Sequence, residues 1–271
     1  MYREFFGLKE KPFNITSDPN FLFLSRVHKE ALSHLLYGIN ERKGFLEITG
    51  EVGAGKTTLC RALLNRLDKR TKSAFIFNST LPELQLLQAI LEDYGIIVTS
   101  RNKVSLLKQL NNFLIEELTR GNNVVLIIDE AQNLKPSILE EIRMLSNLET
   151  DKDKLFQIVL VGQPELKNKL ASPGLRQLRQ RISVRFHITP LDKDEVADYI
   201  SHRLGVAGSA GQITFEPGAI EKIHDFSGGI PRLINMVCDK SMLTAYTMET
   251  MKITMPIVER SIQEMEGCLP R

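Results

Sequence analysis

The chain has 271 residues, 42% of them hydrophobic, with 35 Lys and Arg against 33 Asp and Glu and a formal net charge of +2. That length suffices for one large domain or two smaller ones, and the composition is ordinary for a globular protein. The near-neutral balance argues against a protein dominated by nucleic-acid electrostatics, while leaving a local basic patch open.

The first 24 residues hold Phe5, Phe6, Phe13, Phe21 and Phe23, broken by Pro12 and Pro19. This reads as an irregular arm anchored by aromatic rings on a core. It carries charges early and lacks the apolar run of a secretory signal. His28 to Asn40 reads as a helix, with Leu32, Leu35, Leu36 and Ile39 on one face. "GFLEIT" is a short β-prone run, and a second helix is expected from Thr57 to Leu67.

Between that strand and that helix lies "GEVGAGKTT", Gly50 to Thr58. Gly50, Gly55, Lys56 and Thr57 fit G-x-x-x-x-G-K-[ST], the phosphate-binding loop. Its glycines let backbone N–H groups converge on an anion, and the following helix adds its free N–H groups and positive dipole end. Gly50, Glu51, Val52, Gly53, Ala54, Gly55, Lys56, Thr57 and Thr58 are therefore the candidate nucleotide-binding residues. Lys56 is expected to face solvent when the loop is empty and to reach the β- and γ-phosphates of ATP. Thr57 is expected to ligate Mg²⁺. A Gly-rich turn matching by chance is the plainer alternative.

Further strands are expected at Ser73 to Asn78, in "NVVLII" before Asp129, at Leu155 to Gly162 and at Ser183 to Ile188. Helices are expected at Pro82 to Tyr94, Val104 to Arg120 and Pro136 to Leu148. Five strands alternating with helices, most of them apolar on both faces, imply a parallel sheet covered on both sides. From Pro190 the alternation stops, and four helices are expected: Asp192 to Leu204, Pro217 to Phe226, Pro231 to Tyr246 and Pro256 to Met265. The expected organisation is an α/β domain over 1–190, arm included, and a small helical domain over 191–271.

"VVLIIDEAQNL" ends an apolar strand in Asp129 and Glu130. Such a strand belongs at the sheet centre, with its C-terminal end beside the phosphate loop. There Asp129 would hold Mg²⁺ through water, and Glu130 would polarise the water that attacks the γ-phosphate. The alternative is an acidic pair capping the next helix. Gln163, ending the next strand, can reach the γ-phosphate or the attacking water, or merely mark the helix entry before Pro164. Arg232, on the first turn of a helix after Gly228 and Gly229, can point back at a phosphate or lie at the surface. Arg176 and Arg185 read as a solvated basic face.

These features resemble the AAA+ ATPases, which join a phosphate-loop α/β domain with a central parallel sheet to a C-terminal helical lid. The resemblance implies a sensor at Gln163, where many members carry Asn or Thr. It also implies an arginine finger at Arg181, preferred over Arg179, and a second sensor at Arg232. Lying before the last strand, Arg181 is expected to serve a neighbouring subunit's nucleotide in a ring or filament. "YREFFGLKEKPFNITSDPNFLFLSRVHKEALSHLLYGI", "IIDEAQNL", "LVGQPEL", "LRQRI" and "GGIPRLIN" are similar to the general secretion pathway protein A family, which includes ExeA-like and MshM-like ATPases. That likeness implies an Mg²⁺-dependent ATPase that self-associates and helps assemble a type II secretion or type IV pilus component. Longer members continue into a membrane helix and a periplasmic region, whereas this sequence stops at Arg271.

The second reading is a DNA-associated regulator of the TnsC/TniB transposition kind, which shares "DEAQ". DNA is a partner the sequence admits but does not favour, because no segment for an appended winged helix follows the lid. Cys60, Cys238 and Cys268 match no metal-ligand spacing, and Cys60 and Cys238 fall in apolar helical patterns. Buried free thiols fit a reducing cytoplasm. The expected location is cytoplasmic, at the inner face of the inner membrane if a partner or a C-terminal extension brings it there.

Overall fold

A computed structural model describes residues 2–15, 18–77, 80–99, 102–146 and 154–267. In chain order its elements begin with α1 (Tyr2–Phe5), α2 (Arg26–Asn40), β1 (Phe45–Gly50), α3 (Lys56–Leu64) and β2 (Thr71–Ile76). Next come α4 (Glu83–Asp93), α5 (Lys103–Thr119), β3 (Asn123–Ile128), α6 (Pro136–Leu145) and β4 (Gln157–Gly162). They are followed by α7 (Pro164–Leu170), α8 (Arg176–Arg181), β5 (Ile182–Ile188) and α9 (Lys193–Val206). The chain then runs through β6 (Thr214–Phe215), α10 (Pro217–Ser227), α11 (Pro231–Thr247), β7 (Lys252–Ile253) and α12 (Met255–Met265).

These elements form two compact units, one of residues 29–50 and 59–188 and the other of residues 1–28, 51–58 and 189–271. The first holds a parallel five-stranded sheet in the order β2-β3-β4-β1-β5. Burial follows strand position. All six residues of β4 are buried, as are all but the first of β3. Edge strand β5 alternates between buried and open positions, as a strand with one wet face must. β1 is buried throughout although it contains Glu47, whose oxygen lies 3.4 Å from Arg185 Nε. Burial raises the Glu47 pKa, and the arginine opposes that rise. Thus Arg185, read from sequence as merely solvated, offsets the charge of a buried carboxylate.

β3 lies inside the sheet but is not its central strand. That place belongs to β4, which hydrogen-bonds to both β3 and β1. β4 is also the strand that follows β3 in the chain, and consecutive strands are usually neighbours.

The second unit is mostly helical. Phe6, Phe13 and Phe21 are buried with Leu191, Val196, Ile223, Ile234 and Val258 in one apolar cluster. The arm thus packs with the C-terminal helices, whereas the sequence reading grouped it with the α/β domain. Arg203, buried in this unit, explains part of that preference. Its Nε donates to Pro12 O at 2.6 Å and its Nη2 to Asn14 O at 2.8 Å, while its guanidinium sits 4.5 Å from the Phe21 ring centre. The arm contains the short helix α1, and β6 pairs with β7 in a two-residue parallel ladder; neither was expected.

Boundary differences are small. β2 begins at Thr71 rather than Ser73, and α3 ends at Leu64 rather than Leu67. Asn78 and Leu148, taken as element ends, and Cys268 lie outside the described residues. Cys60 and Cys238 are buried thiols. Among the described residues no helix is long and apolar enough to cross a membrane.

Candidate functional site

Gly50 ends β1, and the loop passes into α3, which begins at Lys56. Gly53 has φ +82° and Gly55 φ +90°, a region that L side chains rarely adopt. Gly53 is also needed for space, because a Cβ there would lie 2.5 Å from Arg232 Cβ. The Arg232 N–H donates to Gly53 O at 3.3 Å, and its side chain remains exposed. So the first turn of α11 is seated on the loop, with the guanidinium in solvent. Val52 is exposed and Ala54 buried, while Thr57 and Thr58 are half-buried.

Lys56 differs from expectation. It is buried, at 5% exposure, and its Nζ donates to Glu51 O at 2.8 Å. Gly53 and Gly55 fold the loop into a turn, which brings a carbonyl from its start within reach of the ammonium five residues later.

In the sheet unit, Asp129 follows β3 and is 2% exposed. Its N–H extends the ladder to Ile76 O at 2.9 Å, and its Oδ1 accepts from the Glu130 N–H at 2.9 Å. Glu130 takes a left-handed backbone, φ +52°, which turns the chain out of the strand. Its Oε2 accepts from Gln163 Nε2 at 3.1 Å and from Gln132 Nε2. Gln132 Oε1 in turn accepts from the Gln163 N–H at 3.1 Å. Lys169 Nζ donates to Gln132 O, and to Leu134 O at 2.8 Å. Glu130 and Gln163, 33 residues apart, are thereby joined through one carboxylate oxygen. Gln132 was not singled out in the sequence. Its signal there was its place in "DEAQ", two residues after Glu130.

Arg181 is not brought into this cluster. It precedes β5, whose first residue pairs with Phe45 at the start of β1, so it lies at the N-terminal edge of the sheet. Asp129, Glu130 and Gln163 follow the C-terminal ends of their strands. Arg181 Nη1 donates to Ser146 Oγ at 2.8 Å and to Arg143 O at 3.4 Å, at the last turn of α6. Gly44, Phe45, Ser146, Lys154 and Arg181 line a small cavity there. The Arg179 side chain is exposed.

The residue types are ones that suit a nucleotide with Mg²⁺: the loop offers backbone N–H groups beside a lysine and the Thr57 hydroxyl, and Asp129 in the sheet unit offers a carboxylate. Residues 39–170 match the AAA domain family. General secretion pathway protein A from Aeromonas hydrophila is 44% identical over 268 residues, 98% of this chain and 49% of that relative. The chain thus spans about half the length of that relative. Among solved structures, the Aeropyrum pernix ORC2 protein (ADPNP-ADP complexes) has a TM-score of 0.70 at 19% identity, over 94% of this chain and 72% of that one. The Thermotoga maritima RuvB Holliday junction branch migration motor gives 0.60 at 18% identity, over 90% and 71%. At such identities the likeness is one of fold. Sheet order, loop motif and these likenesses agree: the chain has the fold of the AAA+ P-loop ATPases and is similar to general secretion pathway protein A over nearly its whole length.

Proposed function

We propose that this chain binds ATP at Gly50 to Thr58 and hydrolyses it as a nucleotide-dependent homo-oligomer, driving assembly of a bacterial secretion or pilus component. The observation that carries the reading is the Glu130 carboxylate, held by Gln132 and Gln163 in a chain that also carries a complete phosphate loop. A carboxylate accepting amide N–H bonds is fixed in direction, as a water-polarising group must be. Lys56 would leave the Glu51 carbonyl for the phosphates, and Thr57 with Asp129 would hold Mg²⁺. Bound there, the ion would neutralise phosphate charge. Arg232, whose backbone is on the loop and whose guanidinium is exposed, would report on the bound nucleotide. The 44% identity to a general secretion pathway protein supports the envelope role.

The first test is equilibrium binding of a fluorescent ATP analogue with Mg²⁺, comparing wild type with Lys56→Ala. Wild type should bind and the variant should lose measurable affinity. Equal binding would sink the nucleotide site. The second is a DNA titration with ATP at two salt concentrations. Tight, salt-steep binding would replace the envelope reading with the DNA-regulator reading.

A further inference from the structure

Ser25 and His28 lie far from the loop in sequence, yet His28 Nε2 is 3.0 Å from Ala54 O. A carbonyl oxygen can only accept, so Nε2 carries the proton. Ser25 Oγ lies 2.8 Å from His28 Nδ1 and 3.2 Å from the His28 N–H. The hydroxyl therefore accepts from that N–H at the start of α2 and gives its own proton to Nδ1. Both ring nitrogens are satisfied in the neutral form. His28 is 3% exposed, and burial keeps its pKa below the ordinary value. A group so buried, with a fixed tautomer and one bond to a loop backbone atom, is placed for orientation.

We propose that His28 is a positioning residue for the phosphate loop: its Nε2–H holds the Ala54 carbonyl and thereby sets the direction of the Gly55 N–H. The peptide between them is planar and trans, so fixing the carbonyl on the His28 side fixes the Gly55 N–H on the opposite side. Gly53 and Gly55, with φ of +82° and +90°, flank this segment and leave it free to rotate. A rotated peptide would present the carbonyl oxygen to an anion that requires the N–H. His28 also crowds Gly55, where a Cβ would lie 3.1 Å from Nε2. This inference rests on the loop binding a nucleotide phosphate, and its test separates the two.

Three variants divide the roles of the ring. Gln places an amide nitrogen near the position of Nε2 and can donate to Ala54 O. Asn can pair with Ser25 but is too short to reach that carbonyl, and Ala does neither. The first measurement is the Gly55 amide resonance in the nucleotide-free chain. It should move in His28→Asn and His28→Ala and stay near the wild-type position in His28→Gln. The second is titration with Mg-ATP. Loss of one hydrogen bond should weaken binding by about 5- to 10-fold in His28→Asn and His28→Ala, with His28→Gln within about twofold of wild type. An unmoved Gly55 resonance in His28→Asn overturns the clamp whether or not ATP binds. Equal ATP affinity in His28→Asn and wild type overturns it as well. If His28→Ala does not fold, His28→Asn, which keeps the Ser25 bond, decides alone. Failure of wild type to bind ATP overturns the nucleotide reading, and the amide resonance still decides the clamp.

Discussion

The two ends of the five-stranded sheet carry different chemistry. At the C-terminal end, Asp129 is buried and Glu130 accepts amide bonds from Gln132 and Gln163. At the N-terminal end, Arg181 is tied to Ser146 and to the Arg143 carbonyl on α6. Six- and seven-residue strands separate these ends by about 20 Å, several times the reach of an arginine side chain. One end thus gathers acceptors and amides, and the other displays a cation that cannot serve them within the same chain. If Arg181 acts on a phosphate, the phosphate belongs to another copy.

Breaking the N-terminal end gives the largest expected effect. Arg181→Ala should bind ATP normally and lose about 10³-fold in turnover, the scale of an arginine supplied by a neighbour. Mixing it with Lys56→Ala should recover part of the activity, because intact loops then meet intact arginines. Steady-state assays across protein concentration provide the check. Flat specific activity with no recovery on mixing would confine Arg181 to its bonds on α6.

At the C-terminal end, Glu130→Gln should keep nucleotide affinity and slow turnover by about 100-fold, since the substitution preserves shape and removes the base. Single-turnover hydrolysis with bound ATP measures this, and an unchanged rate would remove Glu130 from the mechanism. Gln132→Ala sharpens the point. It leaves Glu130 in place but removes one of its donors, so kcat should fall by about 10-fold with KM nearly constant. A change in KM alone would mean that Gln132 shapes the loop environment instead of the carboxylate.

The smallest effect separates the two roles of Arg181. Ser146→Ala removes one hydrogen bond and should cost about 1 kcal/mol of stability or less, read by denaturant unfolding. If Arg181 serves a neighbour, freeing it this way should leave turnover unchanged or raise it. Loss of turnover in parallel with Arg181→Ala would show that the arginine matters only where Ser146 holds it.

Much of the fold was legible because its signals are local. The alternation of apolar runs with helical periodicities reports the parallel sheet, since a strand covered on both faces must be apolar throughout. The glycine spacing of Gly50 to Thr58 reports an anion loop, since only that backbone tolerates the required φ values. Asp129 and Glu130 stood out as charges at the end of a run with no other polar residue. Gln132, by contrast, is an ordinary amide in a turn, and only the approach of Gln163 on the next strand gives it a partner.

The sequence by itself therefore determined the strands, the loop and the acidic pair, because each is written in consecutive residues whose physical demands are strict. Tertiary structure decided what depends on distant segments meeting. It placed β4 between β3 and β1, and packed the aromatic arm on the C-terminal helices through Arg203. It set Arg181 on Ser146 and brought His28 to the Ala54 carbonyl. None of these follows from spacing, because a hydrogen bond between residues tens of positions apart leaves no periodicity in the chain. Each is fixed by the need of a buried polar group to find a partner once the two cores have formed.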